Sequence, residues 1–307
     1  MESLKIVVTG ASGFVGSNVA RHLSKDNEVV GLTRSVGNWR TEGINVEYLD
    51  ICDRGKTIDM LKKLKPDVLI HCAVYGGYHF EKDTEKVIKT NILGTLNLLD
   101  ASENTSLFIN TGSSSEYGLK QKPMKETDTL EPSTDYAMSK ALVSNLLHLR
   151  KSMSKVVTLR LFSVYGYYEE KHRLIPTLLY SLIKGERAKL SNPENVRDFV
   201  FVEDVSRAYE KVIKNSDDIN SGEIFNVGSG VQSKISEVVR MLDVDVVWDN
   251  EDREPEKKRV WQADIEKIKK EIGWIPETAL KEGLEKTKKW MEENIALYEG
   301  PKNEKHR

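Results

Sequence analysis

The segment TGASGFVG (residues 9–16) follows a short apolar run, residues 4–8, and leads into an amphipathic stretch that ends near Ser24. In a strand-turn-helix context, glycines at this spacing allow a tight turn, close approach of the backbone to a pyrophosphate, and packing of the helix on its strand. The N-terminus of the helix would face the phosphates. The segment therefore predicts a dinucleotide-binding loop whose members are Gly10, Ser12, Gly13, Phe14, Val15 and Gly16.

Short β-branched runs alternate with longer amphipathic segments through the first half of the chain. This alternation is typical of a parallel sheet flanked by helices. The predicted strands are Lys5–Val8, Glu28–Thr33, Asn45–Leu49, Val68–Cys72, Leu107–Asn110 and Val156–Phe162, and the main helical patterns are 13–24, 83–102 and 136–151. The sequence therefore predicts an α/β fold with a doubly wound parallel sheet of Rossmann type.

After Gly166 the alternation loosens into an apolar helix (174–184), a strand-helix pair (199–214) and two charged helical segments (264–272 and 279–293). We predict a Rossmann domain from residues 1–165 with about 197–230. A smaller C-terminal substrate-binding lobe is predicted from about 166–196 and 231–307.

Composition narrows the class of protein. The chain has 307 residues, 39% of them hydrophobic, and a formal net charge of −2, which gives no electrostatic reason to expect nucleic acid or an anionic membrane as a partner. It lacks the pattern of a signal peptide and any long apolar run, so we expect a cytoplasmic protein. Its two cysteines, Cys52 and Cys72, belong to no metal-ligand pattern, so neither a metal site nor a disulfide is expected.

Thr33 and Arg34 end the second predicted strand. An acidic side chain at this point holds the ribose hydroxyls in proteins that bind NAD, whereas a cation suits the 2′-phosphate of NADP. Arg40 is close enough in sequence to assist. The cofactor is therefore predicted to be NAD or NADP, with NADP favoured by Arg34. The alternative is that Arg34 is a solvated loop residue.

Tyr136 and Lys140 are four residues apart on a predicted helix, so their side chains share one face. A free phenol has a pKa of about 10, too high for a good base at neutral pH. The ammonium of Lys140 can lie near both the phenol and the ribose of a bound dinucleotide, and together with an oxidised nicotinamide it would favour the phenolate. Tyr136 would then accept or return the proton of a substrate hydroxyl.

Residues 111–118, TGSSSEYG, follow the fifth predicted strand. Together with the glycine spacing and the Tyr136/Lys140 pair, this segment resembles the short-chain dehydrogenase/reductase superfamily. The resemblance implies that Ser113, four residues before Tyr117, hydrogen-bonds the reacting oxygen and completes the catalytic group with Tyr136 and Lys140. It also implies that Asp50 and Ile51 contact the edge of the adenine.

Five later segments, 71–73, 91–99, 159–166, 197–205 and 226–230, resemble the extended branch of this superfamily, the NAD(P)-dependent sugar-nucleotide epimerases and dehydratases. The resemblance covers nearly the whole chain. It implies a nucleoside-diphosphate sugar as substrate, cofactor contacts from Ala73 and Asn91, and a homodimer formed by the helices that carry Asn91 and Tyr136.

The same resemblance implies that Arg197 and Arg253 clamp the diphosphate, a task that suits guanidinium geometry. The alternative for Arg253 is an ion pair within its own acidic run, residues 251–254. Ser163 departs from the family pattern, which has an asparagine there in contact with the phosphates. Ser114 and His79 are further candidates for substrate binding, although a lone loop histidine is more often a surface residue.

Members of the extended branch exchange a hydride between the nicotinamide and C4 of the sugar. A dehydratase needs an additional acid and base beside the serine position, whereas this chain has Ser114 and Ser115 there. Glu116 would serve only if the segment were shifted by one residue. We therefore expect a nucleotide-sugar 4-epimerase first and an NADPH-dependent 4-keto reductase second, the latter favoured by Arg34. A dehydratase and a non-catalytic dinucleotide-binding protein are less favoured alternatives.

Overall fold

The computed structural model describes residues 3–34, 38–78, 80–150, 154–249 and 259–299. Its strands lie in three sheets. In chain order they are β1 (Lys5–Thr9), β2 (Glu28–Thr33), β3 (Val46–Tyr48), β4 (Val68–His71), β5 (Leu107–Ser113), β6 (Lys155–Leu161), β7 (Ser163–Tyr165), β8 (Ala188–Leu190), β9 (Val196–Phe201), β10 (Glu223–Val227), β11 (Gln232–Lys234) and β12 (Val246–Trp248).

Helices connect most of these strands. They are α1 (Phe14–Leu23), α2 (Arg54–Leu64), α3 (Thr84–Val87), α4 (Gly94–Ala101), α5 (Asp135–Leu149), α6 (Leu174–Lys184), α7 (Val202–Lys214), α8 (Ile235–Leu242), α9 (Glu266–Ile272) and α10 (Leu280–Glu293). A π-helical turn, Ile88–Leu93, joins α3 to α4. No helix in the ranges described is long and apolar enough to cross a membrane.

The central sheet has seven parallel strands in the order β10-β6-β5-β4-β1-β2-β3. Both of its faces are buried, so alternate residues of β1 enter different cores. Ile6 and Val8 pack on the side of α1 and α7, whereas Val7 packs on the side of α2, α4 and α5. Burial on both faces explains why these strands are nearly continuous apolar runs. The predicted doubly wound sheet is confirmed.

All six predicted strands are present, with ends that differ by a few residues. The seventh strand, β10, was not predicted because it comes after the segments that loosen the β/α alternation. It pairs with β6 at the edge of the sheet, and Asn226 near its carboxyl end is fully buried.

A second body of structure follows β6. The sheets β11-β9-β7 and β12-β8 pack with α6, α8 and α10 around their own apolar cluster, which includes Phe199, Phe201 and Met291. β9 belongs to this part, whereas β10 returns to the central sheet. The chain therefore passes between the two parts within residues 196–227, a range that the predicted domain division assigns almost wholly to the Rossmann domain. That division stays a prediction.

Candidate active site

The glycine loop lies at the carboxyl ends of β1 and β4. Gly10 has φ +69°, and a Cβ there would lie 2.6 Å from the backbone nitrogen of Ala73. A Cβ on Gly16 would lie 2.3 Å from the carbonyl oxygen of Gly10. Only glycine allows this backbone path, which brings the loop close to the start of α1. The loop therefore has the form that a pyrophosphate requires.

A cavity of about 710 Å³ runs from this loop along the carboxyl edge of the sheet to the end of β5 and the start of α5. This edge, between β1 and β4, is where doubly wound sheets bind ligands. The cavity brings together most residues that the sequence predicts: Gly10, Ser12, Gly13, Phe14, Val15, Gly16, Thr33, Arg34, Ile51, Ala73, Ser113, Ser114, Tyr136, Lys140, Ser163 and Arg197.

At the end of β2, the hydroxyl of Thr33 donates to Ser12 Oγ at 2.8 Å, and the exposed side chain of Arg34 lines the cavity. Arg40 does not line the cavity, although its closeness to Arg34 in sequence indicated that it would assist Arg34 there. Its Nε donates to the carbonyl of Tyr168 at 2.6 Å, and its guanidinium stacks on Trp39.

Asp50 and Asn91, two further predicted cofactor residues, are not among the described residues that line the cavity. The carboxylate of Asp50 accepts a hydrogen bond from the backbone of Cys52. Asn91 is buried, and its amide bonds both backbone groups of Tyr75 and the hydroxyl of Ser139. Asn91 therefore fixes the loop after β4 against α5, and the cofactor contacts expected of both residues stay predictions.

The catalytic candidates are fixed by two caps. Ser113 ends β5 and caps the following 3₁₀ turn, where it accepts from the backbone of Ser115. Thr134 caps α5 and so places Tyr136 in the first turn of that helix, with Lys140 one turn later. The Ser113 side chain lies close to the Tyr136 hydroxyl. The three side chains thus lie together at one wall of the cavity.

Burial sets the protonation of this group. It lowers the pKa of Lys140 to about 8, although nearby Glu116 opposes the shift, and Lys140 Nζ donates to the carbonyl of Thr111 at 2.8 Å. Burial also raises the pKa of Tyr136, opposed by the nearby Ser113 hydroxyl. Among the protein's own groups, burial thus favours the phenol. The shift toward the phenolate that is expected beside an oxidised nicotinamide stays a prediction.

Glu116 lies behind the serine segment and away from the cavity. It is fully buried, where one carboxylate oxygen accepts from Arg160 Nε and the other from the backbone of Ser113, both at 2.8 Å. The segment is therefore not shifted by one residue, and the positions beside Ser113 that face the cavity carry Ser114 and Ser115.

Among the lining residues that sequence reasoning missed are Tyr78, Glu170 and Arg173. They lie on the loops after β4 and β7, where no strand or helix pattern indicates which way a side chain points. Two predicted substrate residues, His79 and Arg253, lie outside the described residues. His71 is buried between the hydroxyls of Thr9 and Thr95, and burial lowers its pKa to about 3.

The model of the NAD dependent epimerase/dehydratase family matches residues 6–228. The chain belongs to this family. Its members are NAD-dependent, and the glycine loop and cavity described above fit such a dinucleotide. The same match accounts for the order of the motifs from the glycine loop to β10.

Relatives in the NAD dependent epimerase/dehydratase family cover nearly the whole chain. A dTDP-glucose 4,6-dehydratase of Shigella flexneri is 27% identical, with 98% of this chain and 96% of the relative aligned. An epimerase from Methanothermobacter thermautotrophicus has a TM-score of 0.87 and 26% identity, over 97% of this chain and 95% of its own. A UDP-glucuronic acid 4-epimerase from Bacillus cereus, solved with UDP-glucuronic acid and NAD, has a TM-score of 0.83 and 26% identity, over 95% and 100%.

We expect the affinity for the dinucleotide to fall as the pH rises through about 8. Burial places the pKa of Lys140 near this value, below that of a free lysine, so its ammonium is present below about pH 8 and lost above it. Fluorescence titration with reduced dinucleotide at about pH 7 and about pH 9.5 measures the change. Lys140→Met should bind the reduced dinucleotide weakly at both pH values. A wild-type affinity that is constant over this range would contradict the assignment.

Proposed function

We propose that this protein transfers a hydride between a nicotinamide dinucleotide and C4 of the sugar in a nucleoside-diphosphate sugar. The observation that carries this proposal is the arrangement of Ser113, Tyr136 and Lys140 on one wall of the cavity that begins at the glycine loop. The dinucleotide supplies or accepts the hydride. The protein's own groups must then hold the sugar oxygen and move one proton.

Each catalytic candidate has one task in this chemistry. The Tyr136 hydroxyl, kept protonated by burial, would donate its proton to a C4 carbonyl oxygen as that oxygen gains negative charge. Ser113 lies beside Tyr136 and would donate a hydrogen bond to the same oxygen. The ammonium of Lys140 would bind the ribose of the dinucleotide and stabilise the tyrosinate that remains. Oxidation of a hydroxyl reverses these steps.

Several relatives are named as dehydratases, yet a dehydration does not suit this site. Expulsion of a sugar hydroxyl needs an acid and a base beyond the catalytic tyrosine. Ser114 and Ser115 occupy the positions next to Ser113, and the carboxylate of Glu116 is held by Arg160 away from the cavity. Among the described residues that line the cavity, the carboxylates are those of Glu81 and Glu170. Glu81 accepts from the backbone of the loop after β4, and Glu170 faces Arg40.

Of the two remaining reactions, the cofactor end of the cavity supports reduction of a 4-keto sugar by NADPH. Arg34 lines the cavity where the 2′-phosphate of NADP would lie, and no carboxylate of the described lining comes from the end of β2. An enzyme that consumes its reductant gains from selecting NADPH, whereas an epimerase regenerates its cofactor in each cycle. The protonated state of Tyr136 also suits reduction.

A 4-epimerase is the second candidate, and it was the first choice from sequence. It is supported by the 26% identity to two structures named as epimerases, each aligned over most of this chain. The two reactions differ in their net consumption of reduced cofactor. A reductase consumes one NADPH for each sugar, whereas an epimerase interconverts two sugar nucleotides with no net change in the reduced nicotinamide.

Tyr136→Phe should lower turnover by about 10²- to 10⁴-fold, because it removes the proton donor and leaves the rest of the site in place. A panel of nucleoside-diphosphate sugars and their 4-keto forms, followed by nicotinamide absorbance and product chromatography, measures both candidate reactions. Tyr48→Phe is the matched control, since this exposed phenol does not line the cavity. Turnover of Tyr136→Phe within a few-fold of wild type would exclude the assigned role.

Arg34→Asp should reverse a preference for NADP over NAD. No carboxylate among the residues that the structure describes pairs with this guanidinium, so a 2′-phosphate would give it a charged partner, and such contacts correspond to about 10- to 100-fold in affinity. The carboxylate would repel that phosphate and accept from the ribose hydroxyls. Titration of both proteins with both dinucleotides measures the switch. Equal affinities throughout would mean that Arg34 is a solvated loop residue.

We also propose that two copies of the chain associate through α5 and the neighbouring helical segment 84–101. Large apolar side chains are exposed on both: Ile88, Leu93, Met138 and Leu142. Scattered exposed apolar residues are ordinary, but a group of them on adjacent helices is typical of an interface. A two-fold axis through this face would bury each patch against its copy.

Leu142→Glu should convert such a dimer to a monomer, because the symmetric contact would bring two carboxylates into an apolar interface. Sedimentation velocity of the variant and the wild type measures the change. Met241→Glu, which places the same charge at an exposed apolar position on α8, should leave the dimer intact. A wild-type monomer at all concentrations would disprove the proposed contact.

A further inference from the structure

A second cavity, of about 380 Å³, adjoins the first. It contains none of the glycine loop, and its walls come mainly from β7 and the loop after it, the start of α6, and the segment between β8 and β9. The two cavities share six lining residues: Gly77, Tyr78, Ser163, Val164, Arg173 and Arg197. A ligand that reaches from Tyr136 into the second cavity must pass these residues.

Two guanidinium groups lie in this shared wall. Arg197, on β9, is the one that the sequence indicates, and its guanidinium lies 5.3 Å from the ring of Trp261. Arg173 directly precedes α6 and belongs to none of the motifs that place the chain in its family. Its side chain is 44% exposed, so it is accessible from the cleft.

The surroundings of Arg173 leave much of its charge for a ligand. Its nearest described ion partner is Glu169, whose carboxylate oxygen lies 3.6 Å from Nε. Glu169 is itself buried, and burial raises its pKa to about 8, so this carboxyl is largely neutral at pH 7. Glu170, the next carboxylate on the loop, faces Arg40 and the Tyr78 hydroxyl. Arg173 is also close enough to Tyr136 to favour its ionised form.

We propose that Arg173 is a phosphate-binding residue that, together with Arg197, holds the diphosphate of the substrate. The proposal rests on the proposed function, which places the sugar at Tyr136. The nucleoside then extends into the second cavity, and the diphosphate between them crosses the wall that carries both guanidinium groups. Ser163, which also lines this wall, offers a single hydroxyl where the family has an amide, so the phosphates gain a donor from Arg173.

Binding of free nucleoside diphosphates tests this proposal without any turnover. Calorimetry of the wild type with UDP, dTDP, CDP, GDP and ADP first identifies the base that is bound. Arg173→Met should then lower the affinity for that diphosphate by about 10- to 100-fold, the range for a lost charge-assisted hydrogen bond. Arg173→Lys should lose less affinity, because lysine keeps the charge although it lacks the planar pair of donors. The corresponding nucleoside, which lacks phosphates, should bind all three proteins alike.

Arg187→Met is the matched control. Arg187 pairs with Asp245 at an exposed site outside both cavities, so this variant removes the same charge from the same part of the molecule. It should bind the diphosphate like the wild type. Unchanged affinity for the dinucleotide in every variant would show that the fold and the glycine loop are intact.

The outcomes separate this inference from the function on which it rests. A wild type that binds none of the five diphosphates would contradict the proposed function. A wild type that binds one of them, with Arg173→Met binding it equally well, would disprove the role of Arg173 alone. If Arg173→Met loses turnover but keeps its affinity for the diphosphate, Arg173 contacts the sugar and the proposal is wrong.

Discussion

The buried ion pair of Glu116 and Arg160 joins the catalytic wall to the sheet beneath it. Glu116 accepts from the backbone of Ser113, which fixes the end of β5, and Arg160 also donates to the Tyr117 hydroxyl. That hydroxyl donates to Asn226 on β10, so the network spans three adjacent strands. Removal of one partner from a buried pair typically costs about 3–5 kcal/mol, because a charge is left without compensation. The position of Ser113 therefore depends on interactions that no ligand touches.

Sequence alone predicted those parts of the site in which local chemistry leaves few options. Gly10 and Gly16 lie where a Cβ would meet backbone, and the four-residue spacing of Tyr136 and Lys140 places both on one face of α5. Sequence does not show which of several possible partners a side chain takes. The amide of Asn91 belongs to a family motif, and only the structure shows that its hydrogen bonds go to Tyr75 and Ser139.

The errors of the sequence argument at Arg40 and Arg173 have a common cause, which is that the direction of a loop depends on tertiary packing. Arg40 follows Arg34 closely in sequence, but its guanidinium is held by Trp39 and the carbonyl of Tyr168. Tyr168 has φ +67°, a conformation that costs energy for any residue with a Cβ and persists only where the surroundings fix it. Its ring packs against Trp39 and Trp290. No pattern in residues 166–173 indicates this arrangement, and so the sequence could not place Arg173 in the cleft.

These contacts also join the two ends of the cleft. The segment after β2 carries Arg34 and Arg40, while the loop after β7 carries Glu170 and Arg173. Arg40 binds the second loop through the Tyr168 carbonyl and faces Glu170, whose carboxylate lies beside the Tyr78 hydroxyl. One packed unit thus fixes the loop that carries Arg173 against the segment that follows β2. Similarity extends to dehydratases and epimerases alike, so the reaction has to be argued from the residues of the site rather than from the sheet.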